Sequence, residues 1–559
     1  MTRATAGSGP LIWWVIAAAL LLRVIGIGFG LPAAYHQDEP IVVNHALAYA
    51  GGDFNPHFFK IPPLVSYLLF GVYGFTYVLL CFFTGATTEQ FGALYFRDPT
   101  LFFMLGRCIF GAFFGTLSVA VLFRLGKKLL GERAAILAAS LFAFSYLHVR
   151  DCHYLYADIP MLFSILMVFD SLADYAKQGR SKALTVSAFW SGVAIAFKYI
   201  AAPILAPVFI AAWQVNRRQK KSVISAWMGA GSLAVLTYVA LNPFSVLDFS
   251  FFLGEIRQQA AAEASMSFFH HLFYSLSEGM GFFGMAAGVA GIFWLWGRRA
   301  KTRWFWSFPL VYYLLIVFFS QPYERYAMPL LPFLCLSAAA FTEEIKWRGR
   351  RFFYLVLVAA LLLPSLCKDV YLARLLLRPD TRDLAAVWIS KNIPAGSGVV
   401  LDHAFFSPRL TQTKNQLLDK LTRVSADDPY KDAKMEKIRL LSDSQNGQKA
   451  YRVYYLNEER LKGTPFLMWS PLIDPDWGVF EREGIQYYVR YRYPGEGNFF
   501  EETSQGKADL LRVFSPYRNS KKVFTEDPWA NVALPFKGIE LFSRDRPGPY
   551  LEIYRIKRV

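Results

Sequence analysis

The stretch LPAAYHQDEP, residues 31–40, closes the first long apolar run of the chain and guides the interpretation of the rest. That run extends from Leu11 to Gly30, and two adjacent carboxylates, Asp38 and Glu39, lie just beyond it. Carboxylates are costly inside a bilayer, so a pair at the mouth of a spanning helix favours a functional role. The alternative is that these acidic residues only end a helix and face water.

The composition indicates a membrane protein. The chain has 559 residues, of which 54% are apolar and 17% aromatic, and apolar runs of about 17–25 residues recur along it. The formal net charge is +17, but the basic residues lie between the apolar runs, which favours a membrane surface over nucleic acid. The five cysteines form no CxxC pair, so thiolate metal sites and redox pairs have no support. None follows Cys367, so the C-terminal part cannot contain a disulfide.

The apolar runs predict a mainly α-helical, polytopic membrane protein with about eleven transmembrane helices. The predicted spans are 11–31, 101–125, 134–149, 159–176, 184–198, 201–215, 223–242, 279–297, 304–320, 327–345 and 352–370. The first run continues past Arg23, which favours an uncleaved span over a signal peptide. Arg23 is expected to face a polar bundle interior or to snorkel. Residues 32–60 are expected to be irregular, and 61–83 to lie in or dip into the outer face.

The charges of the connections predict the orientation. Basic residues cluster near 127–133, 177–182, 217–221, 298–303 and 346–351, and the positive-inside rule places these connections in the cytoplasm. An odd number of spans then leaves the C-terminal part outside the plasma (inner) membrane. We therefore predict a transmembrane domain over 1–378 and a soluble extracytoplasmic α/β domain over 379–559. Its first helix is expected after Asp380, and strands are expected at 398–401, 485–489 and 551–556.

Several polar side chains meet the outer face under this topology. They are Asp38 and Glu39; Arg107; Arg150, His153 and Asp158; Lys198 and Tyr199; and Arg325 and Tyr326. Cations at a membrane surface can neutralise the phosphate or diphosphate of a lipid, and a carboxylate can remove a proton from an attacking hydroxyl. The alternatives are that Arg150 and Arg325 anchor helix ends at head groups, that Lys198 snorkels, and that His153 is a satisfied polar residue.

Ordered motifs through the first 370 residues resemble a known group. They are the Asp38-Glu39 loop, Pro62-Pro63-Leu64, Leu105-Gly106-Arg107 with Gly111, Arg150 with His153-Tyr154 and Asp158-Ile159-Pro160, Ala196-Phe197-Lys198-Tyr199, and Glu324-Arg325-Tyr326 with Pro329 and Pro332. The sequence resembles the GT-C membrane glycosyltransferases, specifically the protein O-mannosyltransferases and the lipid A aminoarabinose transferases. The segment Lys60-Ile61-Pro62-Pro63 departs from the mannosyltransferase pattern, and no MIR-type repeats are visible, so the acceptor class stays open.

The resemblance implies the GT-C fold and an inverting transfer on the extracytoplasmic side. The donor would be a polyprenyl-phosphate sugar, undecaprenyl or dolichyl, and the acceptor a hydroxyl or phosphate of a protein, lipid or glycan. Asp38 would be the general base, and Glu39 would hold the acceptor or neighbouring cations. The expected donor-phosphate contacts are Arg107, Arg150, Lys198 and Arg325. The expected acceptor or supporting residues are Asp158, His153, Tyr199 and Tyr326.

The sugar class, a metal requirement and the competing functions stay open at this point. The enzyme would be a hexosyl- or pentosyltransferase with no certain cofactor. A divalent metal stays open, although His36, His45 and His57 are too loosely spaced to predict a site. The competing functions are a transporter or flippase of lipid-linked sugars and a non-catalytic assembly subunit. Transporters tend to carry paired repeats and broken midplane helices, whereas the polar groups here cluster at one face.

Overall fold

The structure is a computed structural model that consists of two compact units. It describes residues 9–261, 268–298, 302–319, 322–344, 351–403, 405–422, 431–443, 449–456, 471–492, 500, 503–504, 506–518 and 534–557. Unit one comprises residues 1–27, 54–69 and 106–373, and unit two comprises 28–53, 70–105 and 374–559. Unit two therefore combines the C-terminal part with two segments from the first hundred residues. The predicted domain boundary near residue 378 stays a prediction.

Unit one is helical throughout its described part. Its helices are Gly9–Val24, Arg107–Phe113, Phe114–Leu129, Glu132–Ala143, Tyr146–Asp151, Asp158–Gln178, Ser181–Phe197, Tyr199–Ile204, Leu205–Arg218, Val223–Leu241, Phe244–Leu247, Phe249–Ala261, His271–Leu276, Ser277–Met280, Phe282–Arg298, Arg303–Phe319, Glu324–Leu330 and Leu331–Glu344. Leu64–Thr84, Thr100–Gly106 and Arg351–Leu376 are each divided between the two units. The segments Asp158–Gln178 and Glu324–Glu344 are each 83% buried over their apolar windows, so both lie in the interior of unit one.

Seven described helices are long and apolar enough to cross a membrane, which identifies the chain as an integral membrane protein. They are Leu64–Thr84, Thr100–Leu129, Asp158–Gln178, Tyr199–Arg218, Val223–Leu241, Glu324–Glu344 and Arg351–Asn392. The pair His271–Met280 and Phe282–Gly297 bends by 117° and adds an eighth if it is one span. Three shorter apolar helices are Pro10–Val24, Ser181–Phe197 and Trp304–Phe318. The mainly α fold is thus confirmed, while the count of eleven spans stays a prediction.

The predicted span 134–149 differs from the structure, whereas the helix expected within 61–83 is present. Residues 134–149 are not one helix, because the helix Glu132–Ala143 ends before Phe144 and a second begins at Tyr146. The Ser145 hydroxyl in this break donates to the Gly279 carbonyl oxygen at 3.0 Å, so packing against another segment accounts for the interruption. Residues 61–83 contain a continuous helix that could cross the bilayer by its length. Its predicted position in the outer face stays a prediction.

The C-terminal part of unit two is built on a mixed six-stranded sheet. The strands are β1 Gly398–Leu401, β2 Arg452–Leu456, β3 Leu472–Ile473, β4 Ile485–Arg492, β5 Ala508–Phe514 and β6 Tyr550–Ile556. Their order is β3-β2-β1-β4-β6-β5. Strands β1 to β4 run parallel where they pair, whereas β6 is antiparallel to both β4 and β5. The predicted C-terminal α/β part is therefore confirmed, with β2, β3 and β5 in addition to the three expected strands.

Unit two also contains helices, and Thr381–Asn392 packs against the sheet. The helices of unit two are Asp38–Ala48, Tyr49–Gly51, Thr88–Arg97, Thr381–Asn392, Lys414–Leu421, Lys431–Asp443, Trp477–Arg482 and Gly538–Ser543. Ala385 and Ile389 of Thr381–Asn392 pack into one apolar core with Val399, Leu401 and neighbouring strand residues. The side chain of Asp380 caps this helix by accepting from the Arg382 backbone N–H, as the sequence predicted.

Candidate active site

The Asp38-Glu39 pair begins a helix, which corrects the predicted irregular loop. The helix is Asp38–Ala48, and both carboxylates lie in its first turn. The backbone N–H of Asp38 donates to Nδ1 of His36 at 3.2 Å. A carboxylate in the first turn is stabilised as the anion, because the amide groups there carry partial positive charge. Asp38 therefore lies at a helix end that favours negative charge.

The two carboxylates differ in exposure. Glu39 is fully buried, whereas Asp38 is half-buried. Successive residues of an α-helix project about 100° apart, so the two side chains point to different faces of the helix. The acid that keeps contact with the surface is Asp38, and this favours Asp38 over Glu39 as the group that can reach an acceptor.

A cation-carboxylate pair lies at two helix ends of unit one. Asp158 is the first residue of the helix Asp158–Gln178. Lys198 lies in the extended break between Phe197 and Tyr199, with φ −159° and ψ 126°. Its Nζ atom is 2.6 Å from Oδ1 of Asp158 and 4.7 Å from the ring centroid of Tyr326. The break in the helix therefore brings Lys198, Asp158 and Tyr326 together, as their shared face predicted.

Arg325 lies among three tyrosine rings beside this pair. Its guanidinium carbon is 5.1 Å from the ring centroids of Tyr156 and Tyr323 and 6.0 Å from that of Tyr326. Aromatic faces hold a guanidinium by cation-π attraction, while its N–H donors point outward in the guanidinium plane. Planar donors of this kind bind phosphate oxygens well. Lys198 and Arg325 share Tyr326, so both cations belong to one cluster.

Arg150 lies in ion pairs of its own. Its Nε donates to Oδ1 of Asp151 at 2.8 Å, and its Nη2 is 3.7 Å from Oε2 of Glu324. Arg150 and Asp151 are both buried. Two carboxylates already surround this one cation, so Arg150 offers less positive charge to a phosphate than the sequence suggested. Through Glu324 it contacts the residue before Arg325 and helps fix the start of that helix.

Arg107 and His153 both contact the end of the first helix. Arg107 Nη1 donates to the Ile27 carbonyl at 2.7 Å. His153 has Nδ1 2.9 Å from the Val149 carbonyl oxygen and Nε2 3.1 Å from that of Ile25. Burial is the main cause that lowers the pKa of His153 to about 4, so the ring is neutral near pH 7. Both side chains therefore contact backbone carbonyl groups just after the first helix. For His153 this agrees with the alternative that it is a satisfied polar residue.

The local backbone explains why a glycine, Gly111, lies four residues after Arg107. Arg107–Phe113 is a π-helical segment, a wide turn that frequently occurs at functional sites. A Cβ at Gly111 would lie 2.0 Å from the carbonyl oxygen of Cys152. Only glycine fits this contact, so the motif spacing reflects a close approach between the π-helix and the segment that carries His153.

Tyr199 lies in a different group. Its ring is 6.4 Å from that of Tyr238 and 5.8 Å from that of Phe252. The structure thus brings Asp158, Lys198, Arg325 and Tyr326 together. Tyr199 follows Lys198 in the chain, but its ring packs near Tyr238 and Phe252.

Sequence reasoning missed several participants. Tyr156 and Tyr323 surround Arg325, and Glu324 pairs with Arg150. Lys368 also lies inside an apolar helix and forms an ion pair with Glu278. A charge within an apolar run is itself a signal of a polar interior, and that signal was available for Lys368. Arg23 followed the expectation, because it is buried and donates to the carbonyl oxygens of Ala19 and Ala143.

Metal ligation has no support in the part of the chain that the structure describes. Within those ranges, no three His, Cys, Asp or Glu side chains are grouped so that they could hold a metal ion.

Comparison with known proteins supports the resemblance noted from the motifs. Residues 103–242 match the family model of dolichyl-phosphate-mannose-protein mannosyltransferases. This stretch is about a quarter of the chain and contains Arg107, Arg150, Asp158 and Lys198. It confirms the resemblance to the protein mannosyltransferases for the motifs within this stretch, from Leu105 to Tyr199. No curated protein matches the chain.

Solved structures with some similarity include three proteins from different organisms. The ArnT protein from Cupriavidus metallidurans, bound to undecaprenyl phosphate, is 12% identical with a TM-score of 0.47, and the match covers 98% of each chain. The oligosaccharyltransferase AglB from Archaeoglobus fulgidus, in complex with an inhibitory peptide and a dolichol-phosphate, is 11% identical with a TM-score of 0.43 over 87% of this chain and 70% of that one. The protein O-mannosyltransferase complex of S. cerevisiae, bound to the sugar donor, is 20% identical with a TM-score of 0.32 over 45% and 35%. TM-scores below 0.5 are too low to establish a shared fold.

Proposed function

We propose that this protein is an inverting glycosyltransferase that moves a sugar from a polyprenyl-phosphate carrier to an acceptor on the outer side of the plasma (inner) membrane. The observation that carries the proposal is the Lys198, Asp158, Tyr326 and Arg325 cluster, with Lys198 2.6 Å from Asp158 and Arg325 among tyrosine rings. Cations at the ends of apolar helices suit the phosphate of a lipid, which needs a polar site beside an apolar one. The match over residues 103–242 supports the same chemistry.

The neighbours of the cations favour Lys198 and Arg325 as the donor-phosphate contacts. Lys198 lies 2.6 Å from Asp158, and Arg325 lies among tyrosine rings. Arg150 is opposed by two carboxylates, Asp151 and Glu324, which offset its attraction for an anion. We therefore give Arg150 and Arg107 supporting roles at the edge of the donor site, and Asp158 the role of orienting Lys198.

In the proposed reaction the acceptor oxygen attacks the anomeric carbon as the bond from that carbon to the phosphate oxygen breaks. The departing polyprenyl phosphate gains negative charge, which Lys198 and Arg325 stabilise. Asp38 accepts the proton of an attacking hydroxyl, because the hydroxyl is a weak nucleophile until that proton leaves. The fully buried Glu39 supports the helix that carries Asp38. Tyr199 and Tyr326 shape the surface beside Lys198.

The test is turnover by the purified full-length protein in detergent. Undecaprenyl-phosphate mannose and dolichyl-phosphate mannose are the first probes, because the matching family is named for that sugar. A transferase releases the sugar to acceptor or water and leaves polyprenyl phosphate without any membrane gradient. Failure to consume any lipid-linked sugar in detergent, together with movement of that lipid across sealed vesicles, would instead indicate a flippase or transporter.

A further inference from the structure

The segment just before Asp38 is tied to the helix Thr381–Asn392 by a buried contact inside unit two. The Tyr35 hydroxyl donates to Oδ1 of Asp383 at 2.6 Å. The guanidinium carbon of Arg382 lies 3.6 Å from the centroid of the Tyr35 ring. Tyr35 and Arg382 are 4% and 3% exposed, so water competes little with either interaction. Resting on the function proposed above, we propose that Arg382 and Asp383 position the Asp38 carboxylate through Tyr35.

Arg382 is itself fixed on several sides. Its Nε and Nη2 donate to the two carboxylate oxygens of Asp380 at 2.8 and 2.7 Å, and its Nη1 donates to the Phe405 carbonyl at 2.9 Å. A bidentate pair with a carboxylate sets the plane of the guanidinium. The guanidinium plane that faces the Tyr35 ring is therefore fixed by Asp380, at the start of the helix, and by the Phe405 carbonyl in the loop after β1.

The start of that helix is anchored in turn to the chain that leads into β6. The Thr381 hydroxyl donates to the Pro549 carbonyl at 2.7 Å, and the Thr381 backbone N–H donates to the Pro547 carbonyl at 3.1 Å. Gly548 has φ +99°, and a Cβ there would lie 2.3 Å from Oδ1 of Asp380. The glycine therefore allows a close approach that no other residue permits. The start of the helix that carries Arg382 and Asp383 is therefore hydrogen-bonded to the segment that leads into β6.

The path from Tyr35 to the carboxylate is short. Asp38 follows Tyr35 by three residues, and the intervening His36 accepts a hydrogen bond from the Asp38 backbone N–H. On the other side, a Cβ at Gly30 would lie 3.1 Å from the Tyr35 ring, so the preceding turn also packs against it. A shift of the Tyr35 ring is therefore transmitted to the first turn of the helix Asp38–Ala48. A misplacement of about 1 Å can cost on the order of a hundredfold in rate.

This inference gives the C-terminal part a specific task in the reaction. It predicts that damage to the Tyr35 contact lowers kcat while donor binding is kept, because the donor-phosphate contacts proposed above all lie in unit one. Tyr35, Arg382 and Asp383 are positioning residues, since they act through Asp38 and do not touch the reacting atoms.

The experiment compares Tyr35→Phe with a matched control in the same unit. Tyr35→Phe keeps the ring over Arg382 and removes only the hydroxyl that donates a hydrogen bond to Asp383. Tyr517 provides the control, because its hydroxyl donates to Glu540 and its ring lies 5.3 Å from the Arg544 guanidinium. Both variants are purified as full-length proteins and assayed for polyprenyl-phosphate mannose turnover, for donor Kd and for melting temperature.

We expect kcat to fall about tenfold in Tyr35→Phe, with donor Kd within about twofold and a melting temperature close to that of Tyr517→Phe, which loses a comparable hydrogen bond. Tyr517→Phe should keep normal kcat. In the Asp38→Asn background, Tyr35→Phe should cause no further loss, because a residue that acts through Asp38 has nothing left to position. A merely structural role would instead lower the rate by the same factor in both backgrounds.

The outcomes separate the inference from the function on which it rests. Normal kcat in Tyr35→Phe, an equal loss in Tyr517→Phe, or additive losses with Asp38→Asn would each overturn the positioning role while leaving the glycosyltransferase intact. An inactive wild-type protein that consumes no lipid-linked sugar would overturn the proposed function, and the positioning role with it.

Discussion

Replacing Arg325 by alanine is expected to weaken binding of polyprenyl phosphate by about 10- to 150-fold. The magnitude follows from one charge-assisted contact to a phosphate, which is worth about 1.5–3 kcal/mol. The guanidinium carbon lies 5.1 Å from two tyrosine ring centroids, those of Tyr156 and Tyr323. This arrangement fixes the orientation of the donors before the lipid binds, so little binding energy is lost in ordering the side chain.

A second substitution separates charge from geometry at this position. Arg325→Lys keeps the positive charge but lacks the planar fork that stacks on the tyrosines and binds two oxygens, so we expect an intermediate loss of about tenfold. Arg124→Ala is the matched control. Arg124 is a half-exposed cation of unit one, 2.7 Å from Asp170, and lies in the helix Phe114–Leu129.

The assay is a titration of each purified variant with fluorescent undecaprenyl phosphate in nanodiscs, with the melting temperature as a check of folding. Donor affinity in Arg124→Ala should stay within about twofold of the wild type, because one distant charge contributes little in salt. Unchanged affinity in a folded Arg325→Ala protein would remove Arg325 from the donor site. An equal loss in Arg124→Ala would show that net charge, and not this cluster, controls binding.

Two further outcomes are expected. The unfolded pKa of His153 is near 6.5 and its folded pKa is about 4, so its contribution to stability is full above pH 6.5 and falls by about 2 kcal/mol on reaching pH 5. The melting temperature of His153→Gln in detergent should therefore drop less than that of the wild type between pH 7.5 and pH 5, and an equal drop would contradict the assignment. The basic connections predict a cytoplasmic signal from a reporter fused after Lys221 and an external signal from one fused after Arg378. Exchanged signals would refute the orientation.

The helical membrane part could be predicted from sequence because the length of an apolar run is set by the bilayer. The interruption at Phe144 and Ser145 could not, since neither residue is proline or glycine. It depends on a hydrogen bond from Ser145 to Gly279, a contact between segments far apart in the chain. Local sequence contains no signal for such a contact.

The helix that begins at Asp38 did leave a signal in the sequence. Two carboxylates followed by Pro40 are typical of a helix N-terminus, where proline is tolerated and negative charge is favoured. The polar composition of residues 32–60 instead led to the prediction of an irregular loop there. The consequence is functional, because a helix separates Asp38 and Glu39 onto different faces whereas a loop would not.

The cation cluster was partly predictable. The residue types and the common face of Asp158, Lys198, Arg325 and Tyr326 were visible in the sequence, and the structure brings all four together. The ion pair of Arg150 with Glu324 joins residues 174 positions apart. The partial neutralisation of Arg150 by neighbouring carboxylates could therefore be recognised only in the tertiary structure.

Side-by-side sugar transfer by Asp38→Asn and Glu39→Gln is the measurement that decides whether the chain works as proposed. Asp38→Asn keeps the shape of the side chain and loses the base. Transfer to a hydroxyl acceptor should therefore fall by about 10²–10⁴-fold while donor Kd is unchanged. Glu39→Gln, at a fully buried position, should lose activity only as far as it loses stability. Near-normal turnover in Asp38→Asn would contradict the assignment of the base, whichever result Glu39→Gln gives.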